Sequence, residues 1–429
     1  MKPACLTVLL LIAFIIASAQ SMQERVKQLQ QQIAEHTQPD TFRVNRINEL
    51  VDTKNIPLGQ RDTLTNEALA IARKIAYPVG EGYALINLAN VRFRQQDTTT
   101  AFGLFRQAMA VAEKTGNQQL IGYVWFNTGS VYMTSDPQRF LSYSLKAVDI
   151  AQKLNDKKLL VMGQTSVANF YQNTDYIKSL DWALKALKIA EENNFTDEVL
   201  RIYTLISSIY TTVGDLPHAM AYTQKALVLS RQVGNIPREV ALLNNLGENY
   251  RLTGEYNKAI EYYRQALEKA MNPQMTGLLQ GNLADVYVRK SDLPNAFANA
   301  FSALAVSKKF ADGMGEAWVD GILGRAHLTT GRTDSAIYYG SQGLAVATDN
   351  HMLEFIRDNA EVLANAFAKQ NNFAKAYQYQ QMYYTYRDSM TSSQVTNKAN
   401  LMEYNYNLDK KQAQIAALTQ EKKTQQYFY

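Results

Sequence analysis

A five-residue pattern returns down the chain, in which a small residue, an apolar residue, a variable one, a second apolar residue and another small residue follow one another. It reads Ala68-Leu69-Ala70-Ile71-Ala72, Ala108-Met109-Ala110-Val111-Ala112, Ala147-Val148-Asp149-Ile150-Ala151, Ala186-Leu187-Lys188-Ile189-Ala190 and Ala226-Leu227-Val228-Leu229-Ser230. It continues, with Lys269 in the second apolar place, as Ala266-Leu267-Glu268-Lys269-Ala270, then Ala303-Leu304-Ala305-Val306-Ser307 and Gly343-Leu344-Ala345-Val346-Ala347. Successive starts lie 37 to 40 residues apart, which marks an internal repeat. Between the motifs no stretch alternates with period two between turn clusters, so each repeat is predicted as two helices. The fullest unit places Leu243, Leu246, Gly247 and Tyr250 on a first helix. Gly254-Glu255-Tyr256 follows as a turn, and Ala259, Tyr263 and Ala266-Leu267 lie on the second helix.

These residues resemble the tetratricopeptide consensus, and the match recurs from residue 43 to 387. The resemblance implies an all-α fold, a right-handed superhelical solenoid of about nine helical hairpins followed by a long C-terminal helix. Gly247 and Ala259 are small where the two helices of a hairpin approach, as are Ala284, Gly324 and Ala364 on first helices and Ala219, Ala296, Ala336 and Ala376 on second ones. Tyr250 and Tyr263 are expected to fill the space between hairpins. Gly254 sits where a left-handed residue ends the first helix, and Thr115-Gly116-Asn117 and Val233-Gly234-Asn235 read as turns between hairpins. The repeat exceeds the usual length of about 34 residues, so both helices and the turn are expected to be longer. Three positions depart from the pattern: Glu49 replaces a small residue, Arg92 stands where Tyr250 does, and Tyr383-Tyr384 replaces Ala-Leu. The first departure suits an atypical capping repeat over residues 20–75.

Composition agrees with a helical array and narrows the function. In 429 residues there are 44 Lys and Arg against 39 Asp and Glu, and the two signs alternate along the chain instead of forming a basic stripe, so no nucleic-acid partner is expected. Residues 1–19 read as a secretory leader: Lys2, an apolar run from Leu6 to Ala17, and the cleavage pattern Ala17-Ser18-Ala19. Export to the periplasm with cleavage after Ala19 is the expectation. The only cysteine, Cys5, precedes the apolar run, where a lipoprotein cysteine would follow it, so no lipid anchor and no disulfide are expected in the mature chain.

The solenoid is expected over 20–387. From residue 388 to 429 a charged helical segment follows, in which Leu401, Tyr404, Leu408, Lys411, Ile415 and Leu418 alternate at three- and four-residue spacing. That seam would pair two chains as a coiled coil and a homodimer, though Lys411 interrupts it; a solvated helix folding back along the array is the alternative. Together Asp40-Thr41, Arg43-Val44, Leu50, the forty-residue repeats, Lys410-Lys411-Gln412 and Glu421-Lys422-Lys423 resemble the exported sensor region of membrane histidine kinases and related regulators of the Bacteroidetes. The resemblance implies a periplasmic sensor whose charged helix leads into a membrane span beyond Tyr429 and then an output domain. A free-standing exported scaffold is the other reading.

No catalytic spacing is present: there is no G-x-S-x-G elbow, phosphate loop or H-E-x-x-H pair, so the chain is not expected to be an enzyme or to hold a cofactor or metal. His36, His218, His327 and His351 are scattered, and His327 occupies the aromatic position equivalent to Tyr250. In repeats of this kind the first helices line a groove that takes a protein or peptide. The column expected to face it is Asn90, Ser130, Asn169, Ser208, Glu248, Asp285, Arg325 and Asn365, wholly polar and rich in side chains that can bond a peptide main chain. Tyr222, Tyr262, Tyr338 and Tyr379 recur at one second-helix position and are expected to pack between repeats.

Overall fold

The computed structural model describes residues 22–53 and 56–388, together with Leu401 and Tyr404. The leader expected over 1–19, and the charged segment expected from 388 apart from residue 388 and those two, lie outside the described residues. Chain contacts divide the protein into two compact units, residues 1–209 with 228–235 and residues 210–227 with 236–429. The first contains α1 (Met22–Glu35), α2 (Thr41–Asp52), α3 (Leu58–Lys74), α4 (Pro78–Arg94), α5 (Thr98–Thr115), α6 (Gln118–Val131), α7 (Pro137–Leu154), α8 (Lys157–Tyr171) and α9 (Tyr176–Glu192). The division runs through α10 (Thr196–Val213) and α11 (Leu216–Gln232). The second unit continues with α12 (Ile236–Leu252), α13 (Tyr256–Lys269), α14 (Pro273–Arg289), α15 (Leu293–Lys309), α16 (Gly313–Thr329), α17 (Thr333–Asp349), α18 (Leu353–Lys369) and α19, residues 373–388. The fold is all-α, built of paired helices of the tetratricopeptide type.

Local chemistry sets the helix limits. Asp97, Asp136, Asp156, Asp175, Asp292 and Asp312 each cap a helix by accepting from the backbone N–H three residues on. A carboxylate there also meets the positive end of the helix dipole. Before the caps Asn117, Glu255, Arg332, Asp97, Asp292 and Met352 the residue is left-handed: Gly116, Gly254 and Gly331 at φ 65°, 79° and 75°, but also Gln96, Ser291 and His351 at 65°, 60° and 55°. Each turn closes with the cap N–H bonded to a carbonyl five residues back, as from Asp97 to Arg92 and from Asp292 to Tyr287.

Packing follows the repeat. Ala68, Ala72, Ala108, Ala112, Ala147, Ala151, Ala186, Ala190, Ala226 and Ala266 are all fully buried. Gly343 breaks the run of leading alanines for a reason the structure shows. A Cβ there would lie 2.9 Å from the Ala317 carbonyl and nearer still to the Asn359 carboxamide, which is itself buried and donates to that carbonyl at 3.0 Å.

At the start of unit 1, α1 lays Leu29 and Ile33 on the core formed by Val44, Ile47 and Leu50. Glu49 pairs with Arg25 of α1 and with Arg46, so the departure from a small residue serves an ion pair with the leading helix. Arg92 forks onto Asp62 of α3 at 2.7 and 3.0 Å.

Two expectations about the aromatic residues need correction. In unit 2, Tyr222 stacks on Tyr210, Tyr262 on Tyr250, and Tyr379 on Phe367, at centroid distances of 6.0, 5.3 and 5.7 Å. Each pair joins the two helices of one hairpin, so these rings pack within a repeat rather than between repeats. The equivalent ring on α17 is Tyr339, stacked on His327 at 5.4 Å, because the short step from Ala266 to Ala303 shifts the count; Tyr338 is 58% exposed. Tyr263 likewise packs inside its own hairpin: a Cβ at Gly247 would lie 2.6 Å from its Cδ1.

Among the described residues no helix is long and apolar enough to cross a membrane, and no group of His, Cys, Asp and Glu could hold a metal ion.

Candidate functional site

Unit 2 contains a cleft of about 440 Å³ lined mainly by its first helices α12, α14, α16 and α18. The N-terminal parts of α14 and α16 contribute Leu278, Met314 and Trp318 to it, joined by Phe310 and Phe355. The later turns contribute Asn244, Glu248, Arg251, Asn282, Asp285, Arg289 and Arg325. The first turns of α18 add Glu354, Arg357 and Asp358, so the cleft has both apolar and charged walls.

Asp285, only 4% exposed, anchors a charged wall. It accepts from Arg289 Nε at 2.8 Å and Arg325 Nη2 at 2.8 Å, and Arg251 Nη1 stands 3.4 Å away. Arg251 in turn forks onto Glu248 at 2.6 and 2.7 Å, and the Tyr263 hydroxyl donates to the same carboxylate at 3.1 Å. Burial pushes the Asp285 carboxyl up, but the guanidiniums of Arg325, Arg289 and Arg251 outweigh it and hold the group below its usual range. The bond to Glu248 holds Arg251 above its ordinary value. Three guanidiniums thus share two carboxylates, drawn from three consecutive first helices.

The column read from the sequence divides accordingly. Glu248, Asp285 and Arg325 come together in this network, while Asn365 is exposed and does not line the cleft. In unit 1, Asn90 donates to Asn127 at 2.9 Å, Ser208 accepts from Gln172 at 2.8 Å, and Ser130 and Asn169 are exposed, Ser130 bonding the Phe126 carbonyl at 3.0 Å. Of these four, Asn90 and Ser208 each bond a residue on a neighbouring repeat that lies outside the column.

Sequence reasoning missed Arg251, Arg289, Asn244, Asn282 and Trp318. A signal existed for the arginines, which follow Glu248 and Asp285 by three and four residues, but such spacing usually marks a solvated helix face. Asn282 Nδ2 donates to Asn244 Oδ1 at 2.7 Å. Trp318 fits because residue 281 is glycine: a Cβ there would come within 2.6 Å of Trp318 Cη2.

Asp320, on α16 beside Trp318 and Val319, is a second buried acid, 5% exposed. Burial lifts its carboxyl to about 6, Glu316 adding to the effect and Lys308 opposing it. Its folded value exceeds the unfolded one, so the folded protein binds more protons between about pH 4 and 6, and stability falls as pH rises through that window. Asp320→Asn is expected to stabilise unit 2 by about 1–2 kcal/mol at neutral pH, after allowance for solvent screening, and to change little near pH 4. Denaturant titrations of both proteins at the two pH values check this; a loss of stability at neutral pH would contradict it.

A family profile, "Tetratricopeptide repeat", matches residues 198–271. No curated protein matches the chain. Among solved structures, the apo form of RapI is similar over 82% of this chain and 99% of its own, at 17% identity and a TM-score of 0.61. The quorum sensor NprR from B. thuringiensis is similar over 77% and 97%, at 13% identity and 0.58. The Rap conjugation gene regulator of the plasmid pLS20, solved in complex with the Phr peptide, is similar over 79% and 98%, at 14% identity and 0.52. At these identities the likeness is one of fold.

Proposed function

We propose that the chain is a peptide- or protein-binding module whose unit 2 holds an extended partner segment in the cleft between Trp318 and the Asp285 network. We further propose that it is the periplasmic sensor part of a signal-transduction protein. The observation that carries the binding reading is the make-up of the cleft. An extended segment needs a slot for an apolar side chain and paired donors and acceptors for its main chain. Trp318, Leu278 and Phe310 offer the first, and the carboxamides of Asn244 and Asn282 the second. A structure of similar fold, the pLS20 regulator, holds a peptide, which supports the same use here. The sensing reading is supported by the leader pattern of residues 1–19 and by the resemblance of the repeats and charged tail to exported sensor regions.

The binding test is affinity selection of a random heptapeptide library on the immobilised full chain, followed by fluorescence titration of the selected peptide. Trp318→Ala and Asn282→Ala are each expected to weaken that peptide at least about tenfold, the loss of roughly one buried anchor or one well-made pair of hydrogen bonds. A library that yields no binder, or variants that bind unchanged, would reject the cleft as a peptide site. For sensing, the reading frame past Tyr429 decides: an apolar span of about twenty residues and then a kinase or DNA-binding module is expected, and a stop codon there would leave an exported scaffold instead.

A further inference from the structure

We infer that the groove between α15 and α17, on the side of α16 away from the cleft, docks an arginine side chain of a partner protein on Asp320. Asp320 follows Trp318 by two residues, about 200° around the helix, so the two face opposite sides. Its row on α16 is Glu316, Asp320, Leu323 and His327. Leu323 belongs to one apolar cluster with Leu304 and Phe297 of α15 and Tyr339 of α17, and His327 meets Phe297 at 4.8 Å and Tyr339 at 5.4 Å. This face of α16 is therefore the floor of the groove, and α15 and α17 are its walls.

Two independent features make the groove a docking site. The first is a carboxylate that the fold leaves unanswered. Asp320 is 5% exposed, yet among the described residues its side chain has no hydrogen-bond or ion-pair partner. Lys308 of α15 attracts it and Glu316 repels it, but Lys308 forms no ion pair with it. A buried acid without a partner costs stability, which is why Asp320→Asn is expected to gain it, and an arriving cation supplies what is missing. The second feature is the ring surface alongside. Phe297 stacks on Phe301 at 6.1 Å, Phe301 meets Tyr339 at 6.3 Å, and Tyr339 meets Tyr338 at 5.1 Å. Phe301 is 45% and Tyr338 58% exposed, so ring surface stays open on both walls. Towards the His327 end, Arg332 of the chain itself lies over the Phe297 ring at 5.9 Å, a guanidinium already placed on this row. A guanidinium is planar, stacks on rings and forks onto a carboxylate, so arginine answers both features, whereas an ammonium lacks the fork.

The test sorts the heptapeptides selected on the full chain by two variants, one for the cleft and one for the groove. Peptides held by the groove are expected to carry an arginine, to bind Asn282→Ala unchanged and to bind Asp320→Asn at least about tenfold more weakly. Replacing that arginine by citrulline keeps the shape and removes the charge. It is expected to weaken binding to the wild-type chain at least about tenfold and to Asp320→Asn less than about threefold, the signature of a direct pair. Asp320→Asn is expected to melt no lower than wild type at neutral pH, so its loss of binding is not a loss of fold. Selection of no peptide of this class, or of arginine peptides that Asp320→Asn binds as well as wild type, would overturn the inference while leaving the cleft reading untouched. A lysine version that binds as tightly would overturn the arginine fork. Self-association of the chain that Asp320→Asn abolishes would give the groove to a second copy and overturn a separate partner.

Discussion

Asp285→Ala is expected to lower the stability of unit 2 by about 3–5 kcal/mol, the usual cost of removing one partner from a buried ionic network. The size follows from what is left behind. Arg289 and Arg325 each lose a bond at 2.8 Å, and Arg251 keeps Glu248 but loses the second acid near it. Three guanidiniums would then face one another with only Glu248 between them. Asp285 is held below its usual pKa range, so its contribution is present at neutral pH and is lost only as pH falls through the folded value. The difference between wild type and Asp285→Ala is therefore expected to shrink on acidification. Urea titrations at neutral and strongly acidic pH measure it, and a neutral-pH loss under about 1 kcal/mol would show that water or rearranged arginines replace the carboxylate.

Much of this architecture was legible because burial leaves a periodic mark. The alanines of the recurring motif had to be small, and the structure buries them completely. Gly254 announced a left-handed turn, whereas Gln96, Ser291 and His351 adopt the same conformation without any composition signal. Aspartate follows Gln96 and Ser291 and caps the next helix, whereas Met352 follows His351. In the site, Glu248, Asp285 and Arg325 were found because one helical position repeats from hairpin to hairpin. Arg251 and Arg289 were not, because an arginine one turn beyond an acid looks the same in sequence whether it points to water or into a buried network. Trp318 was missed for a different reason: its place depends on the absence of a side chain at Gly281, a neighbour one repeat earlier. The stacked rings were misplaced because adjacency along a repeat does not say which of two neighbouring helices a side chain meets.

Tyr263→Ala is expected to cost a comparable amount, about 3–5 kcal/mol, the range for removing a fully buried aromatic side chain. Tyr263 is fully buried, and its ring occupies the space that glycine leaves at 247. Truncation therefore opens a cavity between α12 and α13 beside Gly247. It also removes the hydroxyl that donates to Glu248, the acid on which Arg251 is forked. Tyr263→Phe separates the two effects. It keeps the ring and is expected to cost only about 0.5–1.5 kcal/mol, the net value of one hydrogen bond. Because Glu248 and Arg251 line the cleft, Tyr263→Phe is also expected to weaken the selected peptide while lowering the melting temperature by only a few degrees. Should Tyr263→Ala and Tyr263→Phe lose the same stability, the ring contributes nothing, and the close approach at Gly247 would have to be held by other contacts.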